Sequence, residues 1–97
     1  MSRIELASGV LDDFERILDH LARHDSPAVR LRIDEILHAV DVLASNPLIG
    51  RPAPRDLREL VIGRDRHGYV ALYRYVAPLD TVFVLAIRAQ KEVGYAR

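Results

Sequence analysis

The sequence predicts a single α+β domain over residues 1–97. A short N-terminal strand comes first, an antiparallel two-helix hairpin follows and packs on an antiparallel sheet, and a C-terminal three-stranded meander completes that sheet. Three observations support this prediction. Apolar residues recur at helical spacing in the first half, and apolar runs of strand length alternate with short links in the second half. The 97 residues, 49% of them apolar, suffice for one modest core.

The first two elements are a strand and a helix. Residues 2–7 alternate between polar and apolar, which predicts a short strand at the edge of the sheet. Ser8 is the predicted cap of the helix, and Asp12 and Asp13 are expected in its first turn, where the helix dipole favours negative charge. Both carboxylates are assigned to the solvated outer surface. The apolar stripe of this helix comprises Val10, Phe14, Ile17, Leu18 and Leu21.

A second helix is predicted after a break at residues 25–27. Ser26 is a candidate cap, and Pro27 suits the first helical position because its missing N–H costs nothing there. The helix is expected to end at Asn46-Pro47, since a residue before proline is driven out of the helical region. Its apolar stripe comprises Val29, Ile33, Ile36, Leu37, Val40 and Leu43. Because each helix has one apolar face, the hairpin needs a sheet to cover.

The second half predicts a loop and three strands. The loop, residues 47–56, is rich in proline and glycine. The strands are residues 57–62, 69–76 and 81–88, and the links between them are short enough for hairpins, so the strands should form an antiparallel meander. In the middle strand Arg74 shares a face with Val70, Leu72 and Val76, while Tyr69, Ala71, Tyr73 and Tyr75 take the other face. The last strand is apolar on both faces until Arg88, which predicts a central position.

Charge is distributed unevenly along the chain. Residues 1–45 hold 5 Arg and 9 acidic residues, a net charge of −4, whereas residues 46–97 hold 9 basic and 5 acidic residues, a net charge of +4. The C-terminal half therefore suits an anionic partner. All but one of the 14 basic residues are arginine, which binds carboxylate and phosphate in a bidentate manner; the same enrichment also arises from a GC-rich genome.

Several classes of chemistry have no support in the sequence. The chain has no cysteine, so it has neither a disulfide nor a thiol nucleophile, and no serine lies in a nucleophile-elbow motif. Gly63 and Gly68 flank a hairpin rather than open a helix, so no phosphate-binding loop is predicted. No metal or other cofactor site is predicted either, because the histidines are scattered: His20, His24, His38 and His67.

No membrane or secretory segment is predicted. The sequence contains no apolar run of about 18 residues, and residues 1–10 lack the apolar stretch of a signal peptide. We therefore expect a cytoplasmic protein without a membrane partner.

The main candidate site is a group of cationic side chains on the predicted sheet. Arg58, Arg74 and Arg88 fall on three strands, and Lys91 and Tyr95 follow the last strand. If the strands are in register, arginines on one face can converge on a phosphate or on a carboxylate of a partner.

Plainer interpretations of the same residues remain open. Arg58 can pair with Glu59 or Asp56, and Arg88 with Glu92, as ordinary surface ion pairs. Tyrosines at strand spacing can stack on bases, but they more often pack under helices with the hydroxyl reaching water: Tyr69, Tyr73 and Tyr75.

The order of the predicted elements, which covers nearly the whole chain, resembles the RelE/ParE superfamily of bacterial type II toxins. Short motifs in the last half carry the resemblance further. They are Asn46-Pro47 with Gly50-Arg51-Pro52, then Leu57-Arg58-Glu59-Leu60, Tyr73-Arg74, and Val84-Leu85-Ala86-Ile87-Arg88. Each motif is weak alone, whereas their order and spacing together are specific.

The resemblance leaves two kinds of activity to separate. RelE-like members cut messenger RNA in the ribosomal A site, using paired basic residues on one strand, an arginine early in the next, and basic and tyrosine residues near the C-terminus. Here Arg58 matches one of the paired positions, Leu60 stands at the other, and Val70 stands where the arginine is expected. Lys91 and Tyr95 are loose counterparts of the C-terminal residues, so a ribonuclease would use Arg58, Lys91 and Tyr95.

The motifs are more similar to those of ParE-like members, which poison DNA gyrase. The resemblance thus implies a toxin of the plasmid stabilisation type that inhibits gyrase and is neutralised by a cognate antitoxin, in complexes that commonly contain two toxins. The alternatives are a RelE-type ribonuclease, with the ribosome and messenger RNA as partners, and an inactive binding module. The residues expected to bind partners are Arg58, Arg74, Arg88, Gln90, Lys91 and Tyr95.

Overall fold

The computed structural model describes residues 1–63 and 68–90. Two helices, α1 and α2, cover one face of a five-stranded sheet, β1 to β5. Short 3₁₀ turns lie at Ser26–Ala28 and Ala77–Leu79. The bounds are β1 Arg3–Leu6, α1 Ser8–His24, α2 Val29–Val42, β2 Arg51–Ala53, β3 Leu57–Ile62, β4 Tyr69–Val76 and β5 Thr81–Ala89.

The strand order in the sheet is β1-β5-β4-β3-β2. Strands β3, β4 and β5 form the predicted antiparallel meander, and β1 is the predicted edge strand, paired in parallel with β5. The predicted α+β architecture is therefore confirmed. None of the helices in the described residues is both long and apolar enough to cross a membrane.

The connection from β1 to α1 coincides with an irregularity in β5. The pairing of β1 with β5 ends at Leu6 and Val84, and the pairing of β4 with β5 skips Leu85, which forms a bulge. The backbone N–H of Ala7 donates to the Val84 carbonyl at 2.9 Å, and α1 begins immediately afterwards. Beyond Val84, α1 rather than β1 runs beside β5.

The core lies between the two helices and the face of the sheet that carries the tyrosines. Most of the predicted stripes are buried there. Leu18 and Leu37 lie at the borders of their stripes and are 41% and 50% exposed. The buried apolar side chains of this cluster are Val10, Ile17, Leu21, Ile36, Val40, Leu43, Ile62, Tyr69, Ala71, Tyr73, Val82, Val84 and Ile87.

The predicted start of α1 is wrong in detail. Ser8 is the first helical residue, and the capping position is Ala7, which makes no side-chain capping bond. The hydrogen bond from the Ala7 N–H to the Val84 carbonyl orients the chain at this point, so a polar cap is not required. Asp12 and Asp13 consequently lie beyond the first turn, which contains no acidic residue.

The predicted ends of α2 also shift. Ser26 and Pro27 belong to the 3₁₀ turn, and α2 begins at Val29 without a side-chain cap. The helix ends at Val42, before the predicted Asn46. The Asn46 side chain and backbone N–H both donate to the Val42 carbonyl, at 3.3 and 3.0 Å, so a turn satisfies this helix end ahead of Pro47.

Strand β2 lies inside the segment predicted to be a loop. It pairs with β3 from Arg51–Glu59 to Ala53–Leu57. Pro52 cannot donate to a ladder, but an edge strand tolerates proline on its open side, and this explains why the sequence pattern missed the strand. Pro54, Arg55 and Asp56 link β2 to β3, and Arg55 and Asp56 have φ of 65° and 61°, the left-handed conformation that tight hairpin turns use.

Candidate partner-binding surface

The strand register sends the three arginines to two different faces of the sheet. Arg58 lies opposite Tyr73, on the face that the helices cover. Arg74 lies opposite Phe83 and Arg88 opposite Val70, so both belong to the other face, which we call the outer sheet face. The prediction that all three converge on one face is therefore wrong. Neighbouring side chains on a strand alternate, and the register between β3 and β4 places Arg58 beside Tyr73.

Arg58 binds the backbone of the loop that precedes β2. Its Nη1 donates to the carbonyl of Gly50 at 2.7 Å and to that of Leu48 at 3.2 Å. The expected surface pair with Glu59 does not form, because Glu59 instead contacts Arg51, with Nε and Oε1 3.1 Å apart. Arg58 thus closes the loop over the sheet. Its part in partner binding stays a prediction.

Tyr73 also binds this loop. The Tyr73 side chain is fully buried, and its hydroxyl accepts a hydrogen bond from the Gly50 N–H at 2.8 Å. Burial raises the pKa of the Tyr73 phenol, while the Gly50 N–H and the charge of Arg58 act in the opposite direction. A Cβ at position 50 would lie 2.6 Å from the Tyr73 hydroxyl oxygen, so only glycine fits here.

The tyrosines of β4 pack under the helices as predicted. Tyr69 and Tyr73 are buried, so neither is available to stack on a base. The expectation that each hydroxyl reaches water is wrong for Tyr73, whose partner is Gly50. The Tyr75 hydroxyl is exposed and donates to Asp80 Oδ1 at 2.8 Å.

The outer sheet face combines arginines with apolar side chains. Arg74 is exposed, and its Nη2 donates to the neutral carbonyl of Arg55 at 3.0 Å. Arg51 lies on the same face and its side chain is 61% exposed. Partly buried Leu72 and Phe83 share this face, Leu72 opposite Glu59 and Phe83 opposite Arg74. This face can therefore contact both the carboxylates and the apolar side chains of a partner.

Arg88 is bound within the protein by a carboxylate that the sequence predicts to be solvated. Asp13 is 4% exposed and forms an ion pair with Arg88. The same carboxylate accepts from Arg16 Nη1 at 3.0 Å and from the Ile87 backbone N–H at 2.9 Å. The prediction of a solvated Asp13 is wrong because α1 runs beside β5 beyond the end of β1, where Asp13 takes the place of a strand partner. Asp12 is exposed, as predicted.

The Asp13 carboxyl stays ionised in this setting. Burial alone would raise its pKa, but the hydrogen bonds from Ile87, Arg16 and Arg88, together with the charge of Arg88, outweigh burial and lower the pKa below its ordinary value. The network joins α1 to β5 and fixes the position of Arg88 at the border of the outer sheet face.

The remaining predicted residues follow β5 in the sequence. The backbone N–H of Gln90 donates to the Gly68 carbonyl at 2.9 Å and closes the end of the β4–β5 ladder. Lys91, Glu92 and Tyr95 lie outside the described residues, so their predicted roles stay predictions. Within residues 1–63 and 68–90, Arg58 and Arg88 lie on opposite faces and do not surround a common point.

Comparison with known proteins agrees with this architecture. The model of the family described as ParE toxin of type II toxin–antitoxin system, parDE, matches residues 4–94. A curated relative, Toxin RelE3 of Caulobacter vibrioides, is 33% identical over 92 residues, covering 95% of this chain and 98% of its own.

Two solved structures share the fold at lower identity. The chromosomal ParDE toxin–antitoxin system from P. aeruginosa matches with a TM-score of 0.76 and 22% identity, over 92% of this chain and 96% of the other. The intact E. coli RelBE toxin–antitoxin complex matches with a TM-score of 0.58 and 16% identity, over the same shares. With the family model covering nearly the whole length, the chain belongs to the ParE toxin family of type II toxin–antitoxin systems, within the RelE/ParE superfamily.

Proposed function

We propose that this toxin inhibits DNA gyrase and that a cognate antitoxin neutralises it. The observation that carries the proposal is the position of Arg58. RNA cleavage requires a base, an acid and cations gathered around one phosphate. Arg58 is instead engaged by the Leu48 and Gly50 carbonyls on the helix side of the sheet, and Val70, where RelE-type enzymes have an arginine, is buried.

The loss of those cations matters energetically. A positioned donor or cation at a phosphoryl transition state typically contributes about 3–4 kcal/mol, a rate factor of about a hundred or more. This site lacks the second of the paired basic residues, where Leu60 stands, and the arginine early in the next strand, where Val70 stands. It is therefore a poor ribonuclease. A toxin that acts by binding gyrase needs no such constellation, only a surface that fits its target.

The outer sheet face is the surface we assign to partners. Arg74 and Arg51 provide exposed guanidinium groups, and Leu72 and Phe83 provide apolar contacts on the same face. An acidic amphipathic segment of an antitoxin, folding on contact, complements that combination. The RelBE match is itself a toxin–antitoxin complex. By analogy we propose a cytoplasmic hetero-oligomer with the antitoxin, which can contain two toxins, encoded by a module of the plasmid stabilisation type.

Purified toxin added to gyrase, ATP and relaxed plasmid tests the proposal. We expect supercoiling to stop or cleaved plasmid to accumulate, and addition of the antitoxin to restore supercoiling. Inhibition that is absent at a large molar excess of folded toxin contradicts the proposal. A translation extract treated with the same toxin serves as the control and should keep its messages intact.

A second candidate is a ribosome-dependent endoribonuclease, favoured by the 33% identity to a protein named Toxin RelE3. Its residues are Arg58, Lys91 and Tyr95. Primer extension on translated messages would then reveal cuts in the A-site codon that disappear in Tyr95→Phe. Uncut messages exclude this activity. If expression without antitoxin leaves growth unchanged and neither assay responds, the chain is a binding module without toxicity.

A further inference from the structure

Two of the histidines, treated above as scattered, lie together on α1. His20 and His24 are four residues apart near the end of the helix, and both are exposed. Their ring centroids are 4.5 Å apart, with an angle of 41° between the ring planes. The two imidazoles therefore occupy one patch of helix surface that solvent reaches directly.

This spacing suits chelation of a metal ion. Side chains at positions i and i+4 lie on the same face of a helix, one turn apart. Zinc enzymes use the same four-residue spacing to bring two imidazole nitrogens to one ion.

The end of the helix favours a cation at the pair, whereas the two neighbouring guanidinium groups repel one. His24 is the last residue of α1, where the negative end of the helix dipole attracts positive charge. Two arginines border the pair on the helix, and each contacts a carboxylate. Arg23 lies 3.3 Å from Asp19, and Arg16 lies 3.0 Å from Asp13.

We propose that His20 and His24 form a two-imidazole site for a late first-row divalent ion such as Zn²⁺. Imidazole suits Zn²⁺, Ni²⁺ and Cu²⁺, whereas Mg²⁺ and Ca²⁺ require oxygen ligands. Among the described residues no group of three or more histidine, cysteine, aspartate or glutamate side chains could hold a metal. The ion would thus keep open positions for water, and its affinity would be lower than that of a four-ligand structural site.

The site goes beyond the proposed function and does not depend on it. It lies on α1, whereas the surface assigned to partners is the outer sheet face. A failure to inhibit gyrase would therefore leave the metal proposal intact, and a failure to bind zinc would leave the gyrase proposal intact.

Calorimetric titration with ZnCl₂ tests the site directly. We expect the wild-type chain to bind one equivalent of Zn²⁺, and His20→Ala and His24→Ala each to weaken binding by about tenfold or more. His38→Ala is the matched control, because His38 is exposed on α2 without a second histidine one turn away. His67→Ala is a second control from outside α1. Both controls should bind as the wild type does.

A residue-specific readout separates a formed site from diffuse surface binding. In NMR spectra, addition of Zn²⁺ should shift the ring signals of His20 and His24 first, while an excess of Mg²⁺ should leave them unchanged. Retention of wild-type affinity in His20→Ala, equal loss in His38→Ala, or no binding in the wild type would each overturn the proposal. Circular dichroism on each variant verifies that the fold is intact.

Discussion

Arg58 and Arg74 lie on neighbouring strands and leave the sheet in opposite directions. Arg58 extends to the helix side, where its guanidinium donates to two loop carbonyls. Arg74 extends to the outer face, where it is exposed and contacts a single carbonyl. For Arg58 and Arg74, two residues of the same type, strand parity decides which one holds the fold and which one remains available to a partner.

The two faces also differ in how their polar groups are satisfied. The helix face buries the Tyr73 hydroxyl and gives it the Gly50 N–H, a contact that requires a close fit. The polar groups of the outer face include exposed guanidinium groups, which water can solvate when no partner is bound. Substitutions on the helix face should therefore reduce stability, and substitutions on the outer face should change binding.

The largest expected effect is that of Gly50→Ala. A Cβ there would lie 2.6 Å from the Tyr73 hydroxyl oxygen and 2.9 Å from the Glu59 carbonyl oxygen, so buried groups must move. We expect the free energy of unfolding to fall by about 3 kcal/mol, measured by urea denaturation.

Gly9→Ala provides the matched control. The nearest atom to its Cβ would be the Leu85 carbonyl oxygen at 3.8 Å, an ordinary contact, and the residue is helical. Alanine should raise the unfolding free energy by about 0.5–1 kcal/mol. Equal losses at both glycines would show that the Tyr73 contact is not the cause.

Asp13→Asn should have the next largest effect. The amide can still accept from the Ile87 N–H but loses its charge towards Arg16 and Arg88, at a cost of about 2 kcal/mol near neutral pH. Because folding lowers the pKa of Asp13 from its ordinary value of 3.8, its contribution is complete above that value and is lost as the pH falls through the folded pKa.

The measurement is the difference in unfolding free energy between wild type and Asp13→Asn as a function of pH. The difference should be constant near neutrality and shrink in acid below the ordinary carboxyl range. Asp12→Asn, at an exposed neighbouring position, should change stability by less than about 0.5 kcal/mol. A pH-independent difference would contradict the role given to the Asp13 charge.

Tyr73→Phe should have a smaller effect. The substitution keeps the buried ring and removes the hydroxyl that accepts from Gly50, leaving that N–H without its partner. We expect a loss of about 1–1.5 kcal/mol in thermal or chemical denaturation. Tyr75→Phe removes an exposed hydroxyl instead and should cost less than about 0.5 kcal/mol. If Tyr75→Phe costs as much as Tyr73→Phe, the closed loop is not a stabilising feature.

Much of the fold follows from periodicity in the sequence. The two helical stripes, the three C-terminal strands and the division of β4 into a tyrosine face and an Arg74 face all follow from spacings of 3.6 and 2. Strand β2 does not, because three residues with a central proline carry no strand signal. The predicted start of α1 differs because a backbone contact with β5 orients the chain at Ala7, and that of α2 differs because Ser26 and Pro27 form a 3₁₀ turn.

Sequence periodicity predicts less of the candidate site than of the fold. The side of the sheet that Arg58 occupies depends on the register between β3 and β4, which no local pattern reveals. Asp13 reads as helix surface until α1 is placed beside β5, since its partner Ile87 lies 74 residues away along the chain. By contrast, the four-residue spacing of His20 and His24 on the predicted first helix is visible in the sequence. The prediction of scattered histidines is therefore wrong for this pair.

One measurement tests the distinction between the two arginines most directly. It is the concentration of folded toxin that halves gyrase supercoiling, compared for Arg74→Ala and Arg58→Ala. We expect Arg74→Ala to raise this concentration about tenfold while its stability stays within about 0.5 kcal/mol of wild type. Arg58→Ala should lose about 1–2 kcal/mol of stability and inhibit as wild type per folded molecule. Undiminished inhibition by Arg74→Ala, with inhibition lost in folded Arg58→Ala, would contradict the account.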